Sequence, residues 1–460
     1  MKDNNFLRTE PVGKLLVKLS VPTVTAAIIN MLYNLVDRVY IGHIPEVGAM
    51  ALTGVGICFP IIMIVSAFAA FISSGGAPRA SISLGKQDKE SAERILGNCF
   101  VLQIVISITI TALLLIFGEK LLLLFGASSN TIGYAVSYMK IYALGTIFVE
   151  LTLGMNAFIT AQGNTKISMM SVLIGAICNI ILDPIFIFAL RMGVRGVALA
   201  TVISQALSTV WVLSYLFGKH TQIKLRKCNM RLSGNIVGPV FALGSAAFMM
   251  QSSESIINIC YNSSLLKYGG DIAVGTMTIL TSVMQLAFLP TQGIGQGAQP
   301  IISYNYGAND KDRVKSAFAA LLKADLGYTL IFAGLVIIFP SVFVGLFTND
   351  PEMKAYASRM LRVYMAAMPL FGIQMAAQMT FTSIGYAKNA IIVACMRKFI
   401  LILPLIYILP AIMKSNQTFA VFLSEPISDL ISVIFSSTLF YFSFRGALKA
   451  MDSKSGLQTK

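Results

Sequence analysis

Apolar residues in this chain gather into long unbroken runs rather than alternating with polar ones. The runs fall at roughly 15–41, 49–75, 95–117, 132–162, 167–190, 193–218, 236–266, 275–302, 314–347, 356–384, 389–413 and 418–445. Each is long enough for a helix to cross a bilayer, which takes about 20 mostly apolar residues. The gaps between them hold Gly, Pro, Asn or charged clusters, which interrupt helices. The pattern predicts an all-α polytopic membrane protein with twelve transmembrane helices. Alternating polarity, the mark of a membrane barrel, is absent.

Residues recur along the chain at a constant offset of 222. Pro78, Gly85 and Asp88 return as Pro300, Gly307 and Asp310; Phe125, Ala135 and Tyr142 return as Phe347, Ala357 and Tyr364; Gly163 and Lys166 return as Gly385 and Lys388. One register held over about 80 residues predicts two copies of one unit. An even number of spans separates the copies, so they share an orientation. The expected architecture is two pseudo-symmetric six-helix bundles, 1–218 and 236–460, joined by a basic linker at 219–235. Parallel repeats around a central cavity are a transporter arrangement.

Composition supports this. The 460 residues are 56% hydrophobic and 12% charged, with a mean hydropathy of +0.76. A soluble chain is about 25% charged, so much of this exterior faces lipid. Disorder is excluded, and six cysteines without a CxxC spacing give no disulfide scaffold. The net charge of +15 is spread over short loops, which argues against nucleic acid as a partner. Twelve spans with a cytoplasmic N-terminus put 25 of the 35 Lys and Arg residues on the inner side and 10 on the outer. That bias predicts both termini in the cytoplasm. The first apolar run extends past signal-peptide length, so no cleaved leader is expected.

A charged side chain at mid-bilayer costs about 2.5 to 3.5 kcal/mol or more, so carboxylates inside spans are candidates for function. They are Asp37, Glu150, Asp183, Glu254, Asp325, Glu425 and Asp429. Asn30, Asn34 and Asp37 share one face of the first span, and Asp37 is poorly disposed to pair with adjacent Arg38. In CNIILDPIFIF, Asn179 and Asp183 share a face of the fifth span, and Pro184 should bend the helix and free a carbonyl. The 222 offset carries Asn179 and Asp183 onto Leu401 and Leu405, so this polar pair belongs to the first half alone. Glu254, among Gln251 and three serines on the seventh span, is expected to face water or substrate. Glu425 and Asp429, one turn apart, are expected to pack against an inner-facing Lys or Arg, and Asp325 to pair with Lys323 or lie near the inner interface. Glu150 has no evident partner.

Other chemistries find no support. TQGIGQGAQP (291–300) lies inside an apolar span and lacks the strand and helix that frame a nucleotide loop; its glycines should instead permit close helix packing. No phosphate-binding GK[ST] motif occurs, and His43 and His220 lie in loops. No enzyme activity and no cofactor are expected.

VPTVTAAIINMLYNLVDRVYIGHI, LGKQDKESA, AQGNTKISM, CNIILDPIFIF and GIGQGAQPIISYNYGANDKDRV together resemble the multidrug and toxic compound extrusion (MATE) family, most closely its bacterial DinF-like branch. The resemblance runs from about residue 10 to residue 445. It implies a V-shaped transporter in the bacterial inner (plasma) membrane, monomeric and surrounded by lipid. It would export organic, often cationic and lipophilic compounds in exchange for Na⁺ or H⁺. The coupling-ion residues it implies are Asp37, Asp183 and Asn179, with Asn156 and Thr201 added by the motif match alone. If the ion is Na⁺, Asp37, Asp183 and Asn179 are its expected ligands. Glu254, Gln251 and Asn34 are left for substrate contact or gating, because the tenth span lacks the carboxylates of the NorM-like branch. A lipid-linked precursor flippase is the alternative. Such a flippase needs basic residues in its cavity, and the spans offer little besides Arg38, Arg397 and Lys398.

Overall fold

The structure, a computed structural model, describes residues 6–45 and 47–458. The chain ends that the charge bias assigns to the cytoplasm lie outside the described residues. Twelve long helical segments are found among the described residues. They are α1 (Val12–Gly42), α2 (Gly48–Gly85), α3 (Lys89–Leu124), α4 (Ile132–Ala161), α5 (Thr165–Pro184) and α6 (Val194–Phe217). Then follow α7 and α8, which together make up Gly234–Gly307, α9 (Lys311–Ile338), α10 (Pro351–Tyr364 with Met368–Ser383), α11 (Ala387–Ile412) and α12 (Gln417–Gln458). As one rod, Gly234–Gly307 would be about 110 Å long, several times a hydrocarbon core of about 30 Å. It breaks at Gly270, whose φ of 64° and ψ of −162° suit glycine alone. The two parts of α10 meet at a bend of 49°.

The repeat is geometric as well as sequential. α2 ends at Gly85 and α8 at Gly307; α3 starts at Lys89 and α9 at Lys311; α5 starts at Thr165 and α11 at Ala387. Gln87 and Asn309 both take a left-handed φ, 62° and 59°. The next residue in each copy, Asp88 or Asp310, caps the following helix by accepting the amide of Ser91 at 3.0 Å or of Arg313 at 3.1 Å. A cap of this kind satisfies an amide that the first turn would leave unpaired.

Packing divides the chain into a first unit, Thr25–Phe248, and a second, Leu7–Val24 with Met249–Lys460. These limits differ from the sequence boundaries at 218 and 236, because the first helix of each half changes partners part-way along. In the second unit, Thr23 Oγ1 donates to the Gly293 carbonyl at 2.6 Å and Ser20 Oγ to that of Ile294 at 3.3 Å. A Cβ on Gly293 would stand 2.7 Å from Val24 Cα, and one on Gly297 2.6 Å from Ser20 Cα. The glycines of TQGIGQGAQP thus admit α1 against α8. In the first unit, a Cβ on Gly75 would overlap the backbone of Val240, and one on Gly244 that of Phe71. Phe71 and Gly75 stand 222 residues before Gly293 and Gly297.

The linker after α6 is folded onto the first unit. Gln162 Oε1 accepts the amide of Gln222 at 2.8 Å and the hydroxyl of Thr221 at 2.9 Å. Glu93 takes the Lys224 amide at 3.1 Å and pairs with Arg226 at 3.0 Å.

Candidate functional site

The first unit brings Asp37 of α1 beside Asp183 of α5, near enough for the two carboxyl groups to act on each other directly. Asp183 is fully buried. Its Oδ1 accepts Asn179 Nδ2 from one turn earlier at 3.4 Å. Asp37 Oδ1, Asp183 Oδ2 and Asn179 Oδ1 are buried and have no hydrogen-bond partner. Asp37 makes no ion pair with Arg38, whose guanidinium lies 5.1 Å from the centre of the Phe59 ring. Pro184 does not break α5: the helix widens into a π-helical turn, Ile185–Ala189, a distortion often found at functional sites.

Thr201 of α6 lines a cavity together with Asn179. Its hydroxyl donates to Val197 O at 3.0 Å and lies against the Tyr138 hydroxyl of α4. Two carboxyls this close repel unless a proton or a cation lies between them. Carboxylate, amide and hydroxyl oxygens are hard ligands suited to a cation such as Na⁺. Among the described residues no three His, Cys, Asp or Glu side chains converge.

Asn156 stands apart from the cluster. Its Nδ2 donates to the Ser168 carbonyl at 3.2 Å, about four turns of α5 from Asp183. Asn34 is exposed and donates back along α1 to Asn30 O at 2.6 Å.

Glu254 and Gln251 lie in the second unit. Glu254, with its side chain 54% exposed, bonds Lys398 of α11 at 2.5 Å, and Gln251 Oε1 is buried without a partner. Neighbouring Arg397, on the π-helical stretch Met396–Ile402, bonds Glu425 and Asp429 of α12, each at 2.7 Å. Glu425 also accepts the Tyr261 hydroxyl at 2.8 Å, and Arg397 stacks over Phe371 at 4.7 Å. The expected basic partner of Glu425 and Asp429 is therefore an arginine from within a span. Asp325 departs from its expected pairing with Lys323: both carboxyl oxygens are buried and unpartnered, as are those of Glu150.

Sequence reasoning missed a second group of oxygens. A cavity of about 40 Å³ in the first unit is lined by Asn30, Tyr33, Thr152, Asn179, Thr201, Ser204, Gln205 and Ser208 among others. The signal for it is spacing: Thr201, Ser204, Gln205, Ser208 and Thr209 form one stripe of α6.

Comparison with known proteins agrees with the fold. The MatE family model matches twice, over residues 22–185 and 246–408, once in each sequence half. The multidrug export protein MepA of Staphylococcus haemolyticus is 26% identical over 411 residues, 89% of this chain and 90% of that protein. MepA of Staphylococcus aureus is 26% identical over 419 residues, 90% and 91%. A MATE crystal structure in the bent conformation superposes with a TM-score of 0.91 at 23% identity, covering 99% of both chains. A transporter of the MOP superfamily from Pyrococcus furiosus, described as having a binding pocket of reversed polarity, gives 0.88 at 23%, covering 98% of this chain and 99% of that one.

Proposed function

Since the chain belongs to the MatE family, we propose that it is a secondary antiporter. It exports organic, often cationic and lipophilic compounds in exchange for Na⁺ or H⁺, and the coupling ion binds at Asp37, Asp183, Asn179 and Thr201. The observation that carries this reading is the closeness of Asp37 to Asp183, set against the absence of such a pair from the other copy. There the corresponding residues are Ile259 and Leu405. A carboxylate pair kept inside a membrane in one of two repeated halves is costly unless it works. The naming of the MepA relatives as multidrug exporters supports the same reading.

Coupling runs through α1. Its residues up to Val24 pack in the second unit and those from Thr25 in the first. A proton or cation between Asp37 and Asp183 relieves their repulsion and draws the outer part of α1 toward α5. Removing it releases that part. One helix is thereby biased by the ion while anchored elsewhere by Ser20 and Thr23.

A flippase is disfavoured by where the basic residues go. Arg397 and Lys398 are taken up by Glu425, Asp429 and Glu254, which leaves of the three only Arg38, over a ring, and no basic cluster to bind a pyrophosphate.

The test is efflux of a cationic dye from everted vesicles under an imposed Na⁺ gradient and, separately, an imposed pH gradient. One of the two should drive efflux in the wild type. Asp37→Asn and Asp183→Asn should each abolish it with the protein inserted normally. Wild-type efflux in both variants would overturn the site.

A further inference from the structure

Beyond Thr201, the stripe of hydroxyl and amide side chains on α6 (Ser204, Gln205, Ser208 and Thr209) has no part in the proposed ion site and leads away from it. Ser204 Oγ and Gln205 Oε1 are buried in the first unit with no hydrogen-bond partner, as is Asn179 Oδ1 above them. All three residues line the 40 Å³ cavity. A buried polar group without a partner costs about 1 to 3 kcal/mol, so an unpaired cluster of three is not a neutral packing choice. A cavity of this size has room for a few water molecules, each needing about 10 to 15 Å³, and these polar side chains can hold them.

Polar contacts continue below the cavity. Ser208 Oγ donates to the Ser171 carbonyl at 2.8 Å, and Ser171 Oγ to that of Ser168 at 2.8 Å. Thr160 Oγ1 bonds Ser168 Oγ at 2.9 Å, where Asn156 Oδ1 is buried and unpartnered. Thr160 lies at the end of α4, two residues before the Gln162 that holds the basic linker.

The second half supplies an internal control. The residues 222 positions after Thr201, Ser204, Gln205, Ser208 and Thr209 are Leu423, Pro426, Ile427, Leu430 and Ile431. Those after Ser168 and Ser171 are Ala390 and Val393. The scaffold thus folds with these positions apolar, and only the half holding the carboxylate pair fills them with oxygen.

We propose that the interior of the first unit carries a hydrated path from the Asp37–Asp183 pair, along the facing stripes of α5 and α6, to Ser168 and Thr160. The coupling cation reaches or leaves the cytoplasm by it. The polar groups along it are uncharged, set among apolar residues such as Leu153 and Val172, which suits a monovalent cation moving with its water, as Na⁺ or as a proton on a water chain, and does not trap a divalent ion. The proposal rests on the antiporter reading, since a path is useful only if a cation is released from the pair.

The test is the double variant Ser204→Ala with Gln205→Met, which removes two unpaired oxygens at nearly constant volume. If these side chains only pack, the variant is as active as wild type and at least as stable. The path predicts cation-driven dye efflux reduced tenfold or more, with thermal midpoint unchanged or raised and dye binding retained in detergent. The single variants Gln205→Met and Gln205→Asn separate loss of the oxygen from change of shape, because only the first should lose efflux. The Na⁺-gradient and pH-gradient arms identify which cation uses the path. Wild-type efflux in the double variant alongside an inactive Asp183→Asn would overturn the path alone, whereas an active Asp183→Asn would overturn the site beneath it.

Discussion

Asn156 and Gln378, 222 residues apart, donate the same hydrogen bond: Asn156 Nδ2 to the Ser168 carbonyl at 3.2 Å, Gln378 Nε2 to the Ala390 carbonyl at 3.1 Å. The two acceptors are also 222 residues apart. This bond therefore belongs to the framework that both halves share, and it ties the fourth helix of each half to the fifth. Asn156 enters the sequence-based ion set only by motif match, and its amide nitrogen serves the framework. Gln378→Leu should lower stability by about 1 kcal/mol, the worth of an ordinary hydrogen bond, and leave efflux per folded molecule unchanged. Thermal unfolding in detergent, with efflux normalised to folded protein, checks both.

The contact of α1 with α8 depends on two glycines whose added Cβ atoms would meet backbone as well as side-chain atoms of Val24 and Ser20. Gly297→Ala should therefore cost about 1 to 3 kcal/mol through overpacking. Gly327 in α9 has open space around its Cα, so Gly327→Ala should be neutral or stabilising by up to about 1 kcal/mol from helix propensity. Equal effects of the two substitutions on the thermal midpoint would argue against the close approach.

Arg397 neutralises two buried carboxylates at once. Removing it strands both, and breaking a buried pair in this way costs about 3 to 5 kcal/mol. Arg397→Leu should lose most of its folded fraction by size-exclusion chromatography, and adding Glu425→Leu and Asp429→Leu should recover much of it. Lys398→Met should be milder, since its partner Glu254 keeps half its side chain exposed.

The paired caps give a pH test. Hydrogen bonds from Ser91 hold the Asp88 carboxyl below the usual carboxylate range. Its cap is therefore fully present above about pH 4, the ordinary aspartate value, and fades as pH falls through the lower folded value. Asp88→Ala should destabilise by about 1 kcal/mol near neutral pH and by less near pH 3, as read from thermal midpoints at the two pH values.

Much of this molecule is written locally in the chain. Twelve apolar runs, the offset of 222, the glycines of TQGIGQGAQP and the one-sided Asn179 and Asp183 are all visible without coordinates, because each depends on spacing along a single helix or on self-comparison. What escapes the sequence depends on partners across helices. Nothing near Glu425 in the chain points to Arg397, and Asp325 stays unpaired although Lys323 is two residues away, because the two side chains leave α9 in different directions. Pro184 reads as a bend with a freed carbonyl, and the form the distortion takes, a π-helical turn over Ile185–Ala189, is not written in the local sequence. The stripe from Thr201 to Thr209 carries little signal in the sequence because a helical hydroxyl usually bonds its own preceding turn, as Thr201 does to Val197.

The central claim is that Asp37 and Asp183 hold the ion exchanged for substrate. By linkage, a substrate gradient must then drive the ion the opposite way. Purified protein in sealed liposomes, loaded with cationic dye and diluted into dye-free buffer, should show dye-driven Na⁺ or H⁺ uptake in the wild type and none in Asp183→Asn. Dye-driven ion uptake at the wild-type rate in Asp183→Asn would contradict the account.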